Sequence, residues 1–242
     1  MVDIHSHIIF DVDDGCSNIE ESINVIKKLK NLGFDSIILT PHYIKASEYT
    51  VENKEKKEKF NILKEELAKN NIDVNLYLGN EIYMNDEIDE LVLSKKAYTM
   101  NNSRYILIEF SLYNEIKNIE DYLYELKHKG YIPIIAHPER YSYFQKDYSK
   151  VDELYESGVL FQCNYASIVG SYGKDAAKLI TYILKKGMVS FMATDVHKEK
   201  SSLYDNFNKI TKKIKSIVGE EEFINITHNN ALKVISDEII EY

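Results

Sequence analysis

The sequence predicts a single α/β domain, about seven βα units wound around a parallel sheet. Short apolar runs rich in β-branched residues alternate with amphipathic stretches of helical period along the whole chain. Several of those runs are almost continuously hydrophobic, as strands covered on both faces have to be. At 242 residues the chain has the length of one undivided barrel, so residues 1–242 are expected to form one domain.

Taken in order, the first strand is expected at Val2 to His5. Ser17 and Asn18 offer a cap to a helix that carries Ile19, Ile23, Ile26, Leu29 and Leu32 on one face, and Gly33 can end it. A second strand is read at Ser36 to Thr40. From Val51 to Asn71 the chain is dense in Lys and Glu, with Phe60, Leu63 and Leu67 at helical spacing, which reads as a solvated outer helix. Further strands are read at Val74 to Gly79, Tyr105 to Glu109, Ile132 to Ala136, Val159 to Cys163 and Val189 to Ala193. Helices around Leu203 to Val218 and Asn229 to Ile235 then close or extend the barrel, with no linker to set them apart.

Composition narrows the function. A net charge of −9 argues against a broad nucleic-acid surface, which would need clustered Lys and Arg. The start lacks the basic and apolar regions of a signal peptide, and no run approaches the roughly 20 apolar residues that cross a bilayer. A cytoplasmic protein without direct membrane insertion is the expectation. Cys16 and Cys163 lack C-x-x-C spacing and are too few for a disulfide framework. Of the 30 basic residues only Arg104 and Arg140 are arginine. Oligomeric state is not legible.

The chemistry lies at strand ends. His5 and His7 end the first strand, Asp14 follows in its loop, His42 follows the second strand and Glu81 the third. Glu109 ends the fourth strand, His137 follows the fifth, and Asp195 and His197 follow the seventh. In a βα barrel all of these fall on the functional rim. A lone histidine after a strand is more often structural; five together with four carboxylates are not explained that way. Imidazoles and carboxylates without thiolate suit Mn²⁺, Fe²⁺ or Zn²⁺, and nine ligands exceed the needs of one ion. Two or three ions are implied. They would make the site net positive and attractive to a phosphate dianion, whereas bare carboxylates would repel one another.

Arg140, beside His137 in His137-Pro138-Glu139-Arg140, is suited to bidentate phosphate contact, with a salt bridge to Glu139 as the structural alternative. Arg104, ahead of the fourth strand, reads as a structural ion pair. A cysteine-dependent phosphatase needs an arginine six residues after its thiolate, and Ser22 and Val169 stand there instead. No G-x-x-x-x-G-K loop or G-x-S-x-G elbow occurs.

Asp3-Ile4-His5-Ser6-His7, Phe10 to Gly15, Thr40-Pro41-His42, Gly79 to Ile82, Leu107 to Phe110, Ala136 to Arg140 and Thr194 to His197 together resemble the PHP (polymerase and histidinol phosphatase) superfamily. The likeness runs in consistent order from about residue 1 to 235. It is strongest to the manganese-dependent protein tyrosine phosphatases of Gram-positive capsule and exopolysaccharide loci, the CpsB/CapC type. That resemblance implies a distorted (β/α)7 TIM-like barrel of PHP type holding three divalent ions, Mn²⁺ by preference. It assigns His5, His7, Glu81 and Asp195 to the first ion, Glu81, Glu109 and His137 to the second, and Asp14, His42 and His197 to the third.

By the same resemblance Arg140 contacts phosphate, and the substrate is a phosphotyrosine protein, the tyrosine-rich tail of a bacterial tyrosine kinase. The family's second arginine, after Asp-x-His, is absent; Lys198 and Lys200 stand in that region. The expected chemistry is attack of a metal-bound hydroxide on phosphorus, with His42 a candidate proton donor if it is unligated. The rival readings are a small-molecule phosphatase, such as one for histidinol phosphate, and a silent PHP binding module.

Overall fold

Strands and helices alternate along the chain in the computed structural model, which describes residues 1–240. The strands are β1 (Val2–Asp3), β2 (Ser36–Leu39), β3 (His42–Tyr43), β4 (Asn75–Leu78), β5 (Glu81–Tyr83), β6 (Tyr105–Glu109), β7 (Ile132–Ala136), β8 (Leu160–Asn164) and β9 (Phe191–Ala193). They pair in parallel, β1-β2-β4 in one sheet and β3-β5-β6-β7-β8-β9 in the other. Interruptions of two residues separate β2 from β3 and β4 from β5, so each of these pairs continues one barrel strand past a break. At the remaining seam, Ser6 bridges Val196, His7 N donates to Val196 O at 2.9 Å and Asp195 N donates to His5 O at 2.9 Å. Seven strand positions therefore follow one another around a distorted ring.

The observed strands lie within two residues of the sequence reading, except that β3 and β5 were expected as loop. The first strand also reaches forward: buried Asp3 takes hydrogen bonds from Thr194 N at 2.9 Å and Thr194 Oγ1 at 2.5 Å, tying the first strand position to the last.

Among the described residues ten helices surround the ring: α1 (Ile19–Asn31), α2 (Asn53–Lys69), α3 (Ile88–Leu93), α4 (Ile119–His128), α5 (Ser142–Lys146), α6 (Ser149–Glu156), α7 (Lys174–Lys185), α8 (Ser202–Val218), α9 (Glu220–Ile224) and α10 (Asn230–Ser236). Asn18 caps α1 by accepting from Glu21 N at 2.9 Å, and Gly33 follows the helix at φ +95°. No helix among the described residues is long and apolar enough to cross a membrane. Arg104 pairs with Asp237 just after α10, at 3.0 Å, both side chains exposed.

The hydrophobic core has two layers. One packs the helices on the outside of the strands; the other fills the barrel's lower half with Val2, Ile4, Ile38, Tyr105, Leu107, Ile134, Leu160 and Phe191, closed below by Val234 and Ile240. Alternation then sets depth. On β6 the inward positions run Tyr105, Leu107, Glu109, and on β8 Leu160, Gln162, Asn164, so each strand changes from apolar to polar as it climbs.

The outer-helix reading of 51–71 needs one amendment. Phe60, Leu63 and Leu67 do face the core, but so does Lys56, wholly buried on α2. Its Nζ donates to Asn80 Oδ1 at 3.0 Å and lies 5.1 Å and 5.5 Å from the ring centres of Tyr43 and Tyr98. Burial lowers its pKa to about 7, so the unfolded chain holds this proton more tightly. The resulting penalty is fully present below about pH 7 and is relieved as pH rises toward the ordinary lysine value. Lys56→Met is accordingly expected to raise stability at neutral pH by about 1 kcal/mol or more, and to flatten its pH dependence above pH 7; thermal melts of both proteins across pH check this.

Candidate metal centre

The nine rim residues come together at one mouth of the ring. Imidazoles and carboxylates alternate around the cluster: His42 Nε2 and His197 Nε2 each lie 3.5 Å from Asp14 Oδ1, and His42 Nδ1 lies 3.0 Å from Glu81 Oε2. Glu81 Oε1 is 3.0 Å from His137 Nε2, which is 3.7 Å from Glu109 Oε1. The two interrupted strands bring His42 and Glu81 in from β3 and β5 rather than from loops. Loop closure after β1 depends on Gly15, where a Cβ would stand 2.0 Å from His7 O and 2.8 Å from Asp13 Oδ1. His137 and Asp195 both have left-handed backbones, at φ +33° and +50°, a conformation disfavoured for such residues and concentrated at functional sites.

Whether the donors fit a cation can be judged from their spacing. His5 Nε2 and His7 Nε2 are 3.1 Å apart; Glu81 Oε2 lies 3.3 Å from each; Asp195 Oδ1 lies 3.4 Å from the first and 3.6 Å from the second. His5 Nε2, His7 Nε2 and Glu81 Oε2, 3.1 to 3.3 Å apart, are spaced as donors around one ion with bonds of about 2.1 Å are, and Asp195 Oδ1 lies within reach of both imidazoles. Glu81 Oε2, buried, has no hydrogen-bond partner of its own. Further sets of donor atoms, all within 4.8 Å of one another, are His42, Glu81 and Glu109; His5, His137 and Asp195; and His7, Asp14, His42 and His197. The residues present fit more than one divalent ion.

Outward-facing atoms are anchored separately. His7 Nδ1 donates to Asp13 Oδ2 at 2.8 Å, and that carboxylate also accepts from Gly15 N and His42 N. His197 Nδ1 donates to Asp195 O at 3.0 Å, and His5 Nδ1 to Gln162 Oε1 at 2.6 Å. Each of these rings thereby turns Nε2 inward, the arrangement common to metal-binding histidines. Asp13, Gln162 and Asn164 are site residues that the sequence reading did not single out. Asp13 sat inside the quoted Phe10 to Gly15 motif; the two amides gave no signal.

Without a cation, the cluster shares protons. Burial disfavours charge on His5, yet Glu81 and Asp195 outweigh it and raise its pKa to about 9. Burial and then the charge of Glu81 push Glu109 up to about 8, while burial, followed by Arg140, drives His137 down to about 4. At neutral pH, therefore, His5 and Glu109 hold protons that an incoming cation has to expel. Cation uptake is expected to release protons and to weaken as pH falls below about 8. Calorimetric titration with Mn²⁺ in buffers of different ionisation enthalpy measures both effects.

Arg140 stands at the edge, its side chain 22% exposed. Nη1 donates to Asp195 Oδ2 at 2.8 Å and the guanidinium stacks 4.6 Å from the Tyr172 ring centre. Glu139 is not its partner: that carboxylate points inward and accepts from Asn164 N at 2.8 Å and Ser167 Oγ at 2.7 Å. Lys198 bonds to Gly15 O and Ser17 Oγ, bracing the first loop, and Lys200 is exposed beside a cleft lined by Lys28, Glu199 and Tyr204. Arg140 is thus the cation nearest the cluster.

Comparison with known proteins bears on this arrangement. Residues 1–236 match the family model for capsular polysaccharide synthesis, CpsB/CapC. CapC of Staphylococcus aureus is 38% identical over 198 residues, 81% of this chain and 77% of that protein. A tyrosine-protein phosphatase CpsB of Streptococcus pneumoniae is 32% identical over 248 residues, 99% of this chain and all of that one. A crystal structure from work on YwqE of Bacillus subtilis and CpsB of S. pneumoniae, described as unique metal-dependent tyrosine phosphatases, superposes with a TM-score of 0.90 at 28% identity, covering 100% of this chain and 96% of that one. A lactonase from Listeria monocytogenes, 10% identical with a TM-score of 0.59 over 98% of this chain and 95% of its own, shares the fold alone.

Proposed function

The chain belongs to the CpsB/CapC family, and from that premise we propose that it is a metal-dependent protein tyrosine phosphatase, acting on a phosphotyrosine protein of capsule or exopolysaccharide synthesis. The substrate proposed is the tyrosine-rich tail of a bacterial tyrosine kinase, met in the cytoplasm. The observation that carries the reading is the inward convergence of His5 Nε2, His7 Nε2, Glu81 Oε2 and Asp195 Oδ1 at 3.1 to 3.6 Å. Such a set has no use in a phosphatase that works through a cysteine, and both cysteines here are buried with their thiols pushed up in pKa by burial.

His5, His7, Glu81 and Asp195 would hold a first ion, Glu81, Glu109 and His137 a second, and Asp14, His42 and His197 a third, with Mn²⁺ preferred. When bound, such ions polarise the phosphoryl oxygens and acidify a water. The chain's part is positioning. Arg140 donates to the equatorial phosphoryl oxygens and spreads the charge that grows there. Tyr172, stacked on its guanidinium, holds the fork at the rim. Departing phenolate has an ordinary pKa of about 10, so it needs little help from an acid. Both nitrogens of His42 face carboxylates, which suits a ligand more than a proton donor.

Chelation is expected to abolish hydrolysis of a phosphotyrosine peptide, and added Mn²⁺ to restore it. The same preparation assayed on histidinol phosphate separates the readings: a large preference for that small ester would overturn the protein substrate. Absence of turnover on every phosphomonoester, in protein loaded with Mn²⁺, would overturn the enzyme.

A further inference from the structure

The sixth barrel strand, β8, supplies none of the nine rim residues, yet it places two wholly buried amides among them. Gln162 and Asn164 occupy successive inward positions. His5 Nδ1 lies 2.6 Å from Gln162 Oε1, Gln162 Nε2 lies 2.9 Å from Asn164 Oδ1, and Asn164 Nδ2 lies 2.7 Å from Asp195 Oδ2. An unbroken chain of three hydrogen bonds thus joins His5 to Asp195 through side chains that touch nothing reactive.

Its direction is fixed at one end. Asp195 Oδ2 already accepts from the guanidinium of Arg140 at 2.8 Å, and a guanidinium can only donate. The neighbouring atom of Asn164 must therefore be its NH₂, which turns Oδ1 toward Gln162. That oxygen demands the NH₂ of Gln162, which leaves Oε1 facing His5, and Oε1 can only accept. Once its extra proton has been expelled, the neutral ring of His5 is so compelled to carry its remaining proton on Nδ1, with the lone pair of Nε2 turned inward, where Asp195 Oδ1 also points, 3.4 Å away.

We propose that Gln162 and Asn164 are positioning residues, a two-amide relay by which Asp195 sets the tautomer of His5 and the two are held as one prepared pair for a divalent ion. The relay rests on the metal-dependent reading above. It also has a consequence for Arg140. Because Asn164 gives Asp195 Oδ2 a permanent donor, the arginine can leave that oxygen for a phosphoryl group without stranding a buried carboxylate.

The test is the affinity for Zn²⁺, by competition with a chelator, in the wild-type protein and in Gln162→Met, Asn164→Leu and the double variant, each first shown folded by thermal melting. Each single change is expected to weaken binding about 10- to 100-fold. The double variant should lose no more than the worse single one, since either change breaks the same chain. In the Zn²⁺-loaded wild type, NMR should show a protected His5 Nδ1 proton. That signal should broaden in Asn164→Leu, although residue 164 does not touch His5. Independent losses that multiply, or unchanged Zn²⁺ affinity in either folded single variant, would overturn the relay. Wild-type protein that takes up no divalent ion would instead overturn the metal reading, and the relay's role with it.

Discussion

Glu81→Gln is expected to lower turnover of a phosphotyrosine peptide by roughly three orders of magnitude, the equivalent of the several kcal/mol that a catalytic metal contributes. Glu81 is the most connected side chain at the mouth. One oxygen lies 3.0 Å from His137 Nε2; the other lies 3.3 Å from His5 Nε2, 3.3 Å from His7 Nε2 and 3.0 Å from His42 Nδ1. Glutamine keeps the shape but removes the charge shared between two donor sets, and turns an NH₂ toward nitrogens whose lone pairs should face a cation. Bound metal per chain should fall together with kcat. A Glu81→Gln protein that kept both would show that this carboxylate does not bridge ions.

Arg140→Lys is expected to cost about 10²- to 10³-fold in kcat/KM while leaving metal content unchanged. A lysine ammonium offers a point charge where the phosphoryl group asks for a planar fork, and it stacks less well on Tyr172. Asp195 keeps its hydrogen bond from Asn164 at 2.7 Å, so the donor pair facing His5 survives the change. With Lys198 engaged by Gly15 O and Ser17 Oγ, no second side chain in that loop compensates. Kinetics on a phosphotyrosine peptide, beside elemental analysis of the same sample, separates this loss from that of Glu81→Gln. Equal kcat/KM in the two proteins would remove Arg140 from substrate binding.

What the sequence made legible follows the physics of burial. Strands covered on both faces have to be hydrophobic without interruption, so β2, β6 and β7 announce themselves through Ile37, Ile38, Leu107, Ile108, Ile134 and Ile135. The rim residues were readable for the converse reason, since acids and imidazoles that end apolar runs stand out against them. β3 and β5 were missed because they begin with His42 and Glu81 themselves and are too short to show alternation. Lys56 was hidden by its charged neighbours on α2: the helix is amphipathic by its apolar residues, and nothing in the letters tells the one lysine on the inner face from those outside. Gln162 and Asn164 are ordinary surface types, and only the three-dimensional path from Asp195 to His5 distinguishes them. Glu139 was the natural partner for Arg140 by adjacency, but a short helical turn at Pro138–Arg140 sends the two side chains to opposite sides.

The central claim is that cations occupy the space bounded by His5, His7, Glu81 and Asp195. Crystals of the protein grown with Mn²⁺ and measured for anomalous scattering address it directly. The account predicts a strong peak among His5 Nε2, His7 Nε2, Glu81 Oε2 and Asp195 Oδ1, with further peaks toward Glu109 and toward Asp14. A map with no anomalous density among these atoms, from protein that still hydrolyses phosphotyrosine, would contradict it.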